Sequence, residues 1–199
     1  MVLLEARGGS AVRVEDRFVR VADDEGLPDR GAVLVSLSRF RAERADLLAR
    51  DGDLGVWLRS DESPAELEDD LGQIALVALD FPVFSDGRAY SSARILRERF
   101  GYEGELRAVG DVLCEQLAFM LRSGFDCFEM ESPRALEEFE SVVREVGVVY
   151  QPTGDGRPTA IEARLGWRRQ GPADDEADGS ILRSMNEGPV PVGRRADHE

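Results

Sequence analysis

Asp80 closes the most apolar stretch of the chain, IALVALDF, and the loop that follows reads PVFSDGRAYSSAR. A carboxyl group on the shoulder of a hydrophobic run can serve as a general base once burial lifts its pKa, and Tyr90, ten residues on, can supply a proton. Around them stand Arg88, Arg94 and Arg107, whose planar donors grip oxyanions and carboxylates in two-pronged fashion. Ser91 and Asp111 sit where helices are expected to open, and there unpaired backbone N–H groups and the positive end of the helix dipole favour an anion. The set suggests capture of a small oxyanion or carboxylate by Arg88, Ser91, Arg94, Arg107 and the helix start at Asp111, with Asp80 and Tyr90 as the proton-transfer groups. The alternative is structural. In so acidic a chain each arginine has carboxylates close by, Asp86-Gly87 is an ordinary turn signal, and Ser91 and Asp111 are ordinary caps.

Composition removes other chemistries. The 199 residues carry a net charge of −15, which repels a phosphate backbone and an anionic lipid surface, so neither nucleic acid nor membrane is expected as a partner. All 25 basic side chains are arginine, which leaves no lysine for a Schiff base or a nucleotide-binding P-loop. The single histidine, His198, lies in a polar terminal stretch, so a histidine-based triad or metal site is not expected. Cys114 and Cys127 are too few for an iron–sulfur cluster and read as buried reduced thiols. No dinucleotide fingerprint is present, because GGS near the start lacks the strand–helix context such a site needs. A flavin held by backbone contacts leaves little trace in sequence, and the cofactor is left open. The N-terminus lacks the basic lead and long apolar run of a signal peptide, and no segment has the length of a membrane span, so a cytoplasmic protein is expected.

The elements that must position these groups alternate. Strands are expected at 32–36, 55–58, 74–81, 105–109, 125–130 and 148–150, separated by segments of helical periodicity that end at Gly52, Gly72, Gly101, Gly124 and Gly147. Gly101, Gly124 and Gly147 recur at one spacing, the rhythm of repeated βα units. Ser63-Pro64 with Glu66, Ser91, Asp111 and Ser132-Pro133 are the expected helix starts, with Tyr90 stapled onto Ile95. Trp57 and Phe119 read as core. Such alternation implies a parallel sheet with right-handed crossovers, and ligands in these folds gather at the carboxyl ends of the strands. Arg107 and Glu129 fall inside strands, where a sheet covered on both faces has little room for charge; this favours an incomplete TIM-like barrel, with a flavodoxin-like three-layer sandwich as the alternative. The expected organisation is an N-terminal β extension over 1–30, in which 11–21 alternates like an edge strand or hairpin, and a parallel α/β domain over 31–152. A C-terminal extension over 153–170 and an acidic disordered tail over 171–199 complete it.

The string ALDFPVFSDGRAYSSARILRERFGYEGELRAVGDVLCEQLAFMLRSGFDCFEM (78–130) resembles a bacterial domain-of-unknown-function family labelled an oxidoreductase of sulfite reduction, whose members are typically encoded beside the assimilatory sulfite/nitrite reductase haemoprotein. The positions that carry the resemblance include Phe81-Pro82, Asp86-Gly87-Arg88, Tyr90-Ser91, Ala93-Arg94, Gly101-Tyr102, Arg107-Ala108, Gly110-Asp111-Val112, Gln116 and Gly124-Phe125-Asp126, and it extends more loosely from about residue 11 through VVYQP. Glu115 stands where an aspartate is expected and Cys114 where a charged residue is. The resemblance implies a setting in sulfate assimilation, as an accessory protein or oxidoreductase component acting with the sulfite reductase haemoprotein. The residues themselves leave two alternatives, a small enzyme acting on an anionic metabolite and a flavin-dependent electron carrier.

Overall fold

The computed structural model describes residues 1–7 and 10–145. Eight strands form one sheet: β1 (Val2–Arg7), β2 (Ser10–Val14), β3 (Phe18–Arg20), β4 (Ala32–Ser36), β5 (Leu54–Leu58), β6 (Leu76–Phe81), β7 (Glu105–Gly110) and β8 (Cys127–Met130). Their order is β2-β1-β8-β7-β6-β5-β4-β3. From β3 to β8 every neighbouring pair is parallel and in chain order, while β1 runs antiparallel to both β8 and β2. A flavodoxin-like sandwich reverses its strand order part-way; this sheet does not, and it agrees with the incomplete barrel that the sequence favours.

The chain itself forces the sheet to curl. β2 and β3 are the two outermost strands, yet only residues 15–17 join them. Four peptide steps reach at most about 14 Å, whereas the outer strands of a flat eight-stranded sheet lie seven spacings, roughly 33 Å, apart. The sheet therefore bends into a half-barrel that brings its edges toward each other. Phe18, Leu34, Leu76, Ala78 and Val109, with Trp57 packed against them, fill the concave side. The convex side carries the larger core, in which Val33, Val35, Val56, Val77, Leu79, Phe81, Ala108 and Phe128 meet the helices. Those helices are α1 (Leu37–Ala49), α2 (Arg88–Arg94), α3 (Leu117–Ser123) and α4 (Ala135–Glu145). β6 is apolar on both sides for this reason, with Leu76 and Ala78 facing the interior and Val77, Leu79 and Phe81 the helices.

Several local expectations are corrected. Residues 2–20 supply three of the eight strands; within 11–21, β2 is the expected antiparallel edge strand, but its hairpin partner is β1, and β3 pairs in parallel with β4. Ser63 does cap the segment after it, accepting from the Ala65 N–H, but Pro64–Gln73 winds as a tight 3₁₀ helix that runs through Gly72. Helix α2 opens at Arg88, three residues before Ser91, because the Asp86 carboxylate accepts the Arg88 N–H. Asp111 caps no helix; its carboxylate accepts the Phe84 N–H at 2.8 Å and ties the β6 loop to the end of β7. Tyr90 packs on Phe81, Phe119 and Phe125 instead of stapling to Ile95, and Phe119 is 44% exposed instead of core. Ser132 behaves as expected, its hydroxyl accepting the Arg134 N–H ahead of α4. Gly124 takes the left-handed C′ position after α3. The strand at 148–150, Gly147, the extension over 153–170 and the acidic tail lie outside the described residues.

Candidate functional site

The predicted cationic rim does not assemble. Arg88 is 60% exposed at the start of α2, and its guanidinium binds the Asp86 carboxylate at 2.6 Å and the Ser60 hydroxyl at 2.9 Å. That guanidinium holds the Asp86 carboxyl well below the usual carboxylate range. Arg94 lies two helical turns on and pairs with Glu98 in the i,i+4 geometry. Arg107 goes elsewhere altogether. Its side chain points into the barrel, 1% exposed, where Nη1 reaches Asp16 at 2.8 Å, Nη2 reaches Glu105 at 2.7 Å, and the guanidinium lies over the Phe18 ring. The three cations thus have three separate carboxylate partnerships, and the interior of a curled sheet, not its rim, accommodates the strand arginine. Ser91 lies within α2 on its exposed side.

Asp80 and Tyr90 are also parted. Asp80 pairs with Val109 on the concave side of the sheet, whereas Tyr90 packs against Phe81, which faces the helices. A strand carboxylate on the concave face and a helix phenol on the convex face of one sheet cannot share a substrate atom. Burial raises the Tyr90 phenol further from neutrality. Asp80 keeps the features a site residue needs. It stands at the carboxyl end of β6, half-buried, with no hydrogen bond or ion pair among the described residues. Desolvation raises its carboxyl pKa, Arg20 opposes the rise and Asp86 adds to it. Gly110, at φ 91°, lets the backbone pass beside this carboxylate, since a Cβ there would lie 2.9 Å from Asp80 Oδ1.

The same carboxyl-end mouth holds residues that the sequence pattern left unassigned. A pocket of about 520 Å³ lies beyond β3, β4 and β5, lined by Arg20, Asp23, Ser36, Ser38, Trp57 and Arg59 among others. Ser36 shares a register row with Trp57; its hydroxyl donates to Asp23 at 2.6 Å and accepts the Arg39 N–H as the cap of α1. Arg20 lies 4.0 Å from the Trp57 ring centroid. Arg20 was hidden by the reading of 11–21 as an edge strand or hairpin. The readable signal was the run FVRV after a short loop, which is long enough for a parallel strand ending in a cation.

The two thiols are placed as expected, Cys127 buried and Cys114 partly so, both free, with burial raising each pKa. Among the described residues no group of three or more His, Cys, Asp or Glu side chains is arranged to hold a metal ion, and no helix is long and apolar enough to cross a membrane. Residues 55–161 match a family described as bacterial protein of unknown function (DUF934). No curated protein matches the chain.

Proposed function

Since the chain belongs to this bacterial family of unknown function, we propose that it acts as an accessory protein of assimilatory sulfite reduction, an oxidoreductase component that docks on the sulfite reductase haemoprotein. The setting comes from the resemblance carried by residues 78–130. The observation that supports docking is an apolar patch within that same string. Val83 is 54% exposed, Phe84 51% and Phe119 44%. The loop is held rigid beneath them: Asp111 accepts the Phe84 N–H, Gln116 donates to the Phe84 carbonyl, and the Tyr90 ring lies 4.7 Å from that of Phe119. Large apolar side chains fixed in water, with charged groups such as Arg88 around them, have the composition of an interface core and its rim. The paired arginines 88, 94 and 107 play no anion-binding part in this reading.

A deletion strain is expected to grow on sulfide but not on sulfate or sulfite. The purified haemoprotein is expected to bind the wild-type protein and to bind Phe84→Ser/Phe119→Ser at least about tenfold more weakly. Normal growth on sulfate together with no association between the purified proteins would remove the proposal. A second reading, a small enzyme acting on an anionic metabolite, is favoured by Asp80, an unpaired carboxylate of raised pKa at the carboxyl-end mouth. It is tested by loss of turnover in Asp80→Asn. The flavin-carrier alternative is tested by the absorption spectrum after reconstitution with flavin, where an absence of flavin bands rejects it.

A further inference from the structure

We propose that the pocket beyond β3, β4 and β5 binds a small oxoanion, a carboxylate or a sulfur oxoanion, with Arg20 as its charge partner and Trp57 as the platform that aims Arg20. The inference deepens the second reading by giving the barrel mouth a ligand class, and rests on that reading only for the location of the site. It needs no haemoprotein.

Arg20 differs from the other arginines of the site region in what it lacks. Arg88, Arg94 and Arg107 each hold a carboxylate within 3.0 Å, and Arg59 at the same mouth binds Glu62 and Asp61. Arg20 has no ion pair and no hydrogen bond among the described residues. It is exposed at the end of β3 and stacked 4.0 Å from the Trp57 ring centroid. Stacking restrains the guanidinium while leaving its N–H edge open, which is the arrangement that receives a planar or tetrahedral oxyanion by two parallel hydrogen bonds. Asp80 influences Arg20 only through space.

Trp57 supplies a second and independent observation. Its indole Nε1 is buried and is the one buried side-chain polar atom without a hydrogen-bond partner among the described residues. A buried N–H with no acceptor is unfavourable and rare in folded proteins, and it marks a place where an acceptor is missing. Trp57 and Arg20 line the same pocket.

The other charged groups of the pocket are already engaged. Asp23 accepts from the Ser36 hydroxyl, Glu25 from the Ala22 N–H, and Glu62 from the Arg59 N–H. Ser38, exposed in the first turn of α1, adds a hydroxyl and sits among N–H groups that have no partner within the helix. Among these lining groups the Arg20 guanidinium and the Trp57 N–H are the donors left without an acceptor, and both call for an anion.

The chain has two tryptophans, Trp57 and Trp167, so Trp167→Phe in the full-length protein leaves Trp57 as the only indole reporter. Its emission is titrated with sodium sulfate, sodium sulfite and sodium acetate against sodium chloride at matched ionic strength. A saturable change with an oxoanion and not with chloride is expected, weakened at least about tenfold in Arg20→Gln and retained in Arg88→Gln. Stronger binding of sulfate or sulfite than of acetate assigns a sulfur oxoanion, and the reverse order assigns a carboxylate. A response equal to that of chloride, or equal in wild type and Arg20→Gln, overturns the proposal. Arg20 is exposed, so its replacement is not expected to disturb folding, and circular dichroism verifies this. Anion binding is read directly, so its loss is distinct from a loss of turnover or of docking.

Discussion

Replacing Arg107 with alanine tests whether this side chain ties the two edges of the curled sheet together. It projects from β7 into the interior, 1% exposed, and reaches Asp16 in the three-residue span that joins β2 to β3. The two stem methylenes beyond Cβ that alanine lacks contribute about 1.6 kcal/mol at roughly 0.8 kcal/mol each. Breaking a fully buried ion pair costs about 3–5 kcal/mol, but Asp16 is 44% exposed and Glu105 23%. Water screens both carboxylates, and about 1–2 kcal/mol is the appropriate discounted figure for the two together. Arg107→Ala is therefore expected to lose about 3 kcal/mol, a fall of about 10 °C in Tm for a domain of this size. Arg107→Met keeps the stem packing but leaves Asp16 and Glu105 without their partner, so it is expected to lose only the electrostatic share, about 1–2 kcal/mol. Equilibrium urea unfolding followed by circular dichroism measures both through the midpoint at constant slope. An alanine variant within 1 kcal/mol of wild type, or a methionine variant as unstable as alanine, would refute the reasoning.

Three further outcomes are expected. Asp80→Asn raises the melting temperature at pH 7 and not below pH 4: the folded-state carboxyl pKa is raised by desolvation, so its favourable contribution is complete below the unfolded value near 3.9 and is lost as pH rises through the folded one; thermal melts across that range check it, and a difference that grows toward acid contradicts it. Tyr102→Phe removes hydrogen bonds from the hydroxyl to the Ile74 and Glu105 carbonyls at 3.1 and 3.3 Å and is expected to cost about 1 kcal/mol in urea unfolding. Gly110→Ala places a Cβ 2.5 Å from the Phe81 carbonyl at φ 91°, an expected loss of about 3 kcal/mol from strain and the accompanying backbone shift, seen as a lowered urea midpoint.

Much of the barrel was legible because its parallel strands are short apolar runs set between helical periods. β4 coincides with the expected 32–36, and β5 and β7 each differ from expectation by one residue. Arg107 was legible as a charge that a flat covered sheet would reject, and its burial agrees with a curved one. Its partner was not, because Asp16 lies 91 positions away and only closure of the sheet brings them together. Asp86 and Asp111 each read as a local turn or cap residue, since sequence shows which groups can cap and not which N–H they will meet. Asp86 meets that of Arg88 and Asp111 that of Phe84. The N-terminal strands escaped for a related reason. VLLEAR is too short to declare its partners, and its antiparallel place between β8 and β2 depends on where the rest of the sheet ends.

That placement of β1 has a bearing on how the polypeptide is made. Val2 faces Met130 across the β1–β8 ladder, and at about 5–20 residues per second a ribosome delivers the second roughly 6–25 s after the first. During that interval the earliest strand is finished and has only β2 to lie against, with one hydrogen-bonding edge open to any chain nearby. Nascent copies on one message are therefore exposed to mispairing until β8 emerges, and the charged Glu5 and Arg7 within that strand are well suited to discourage it.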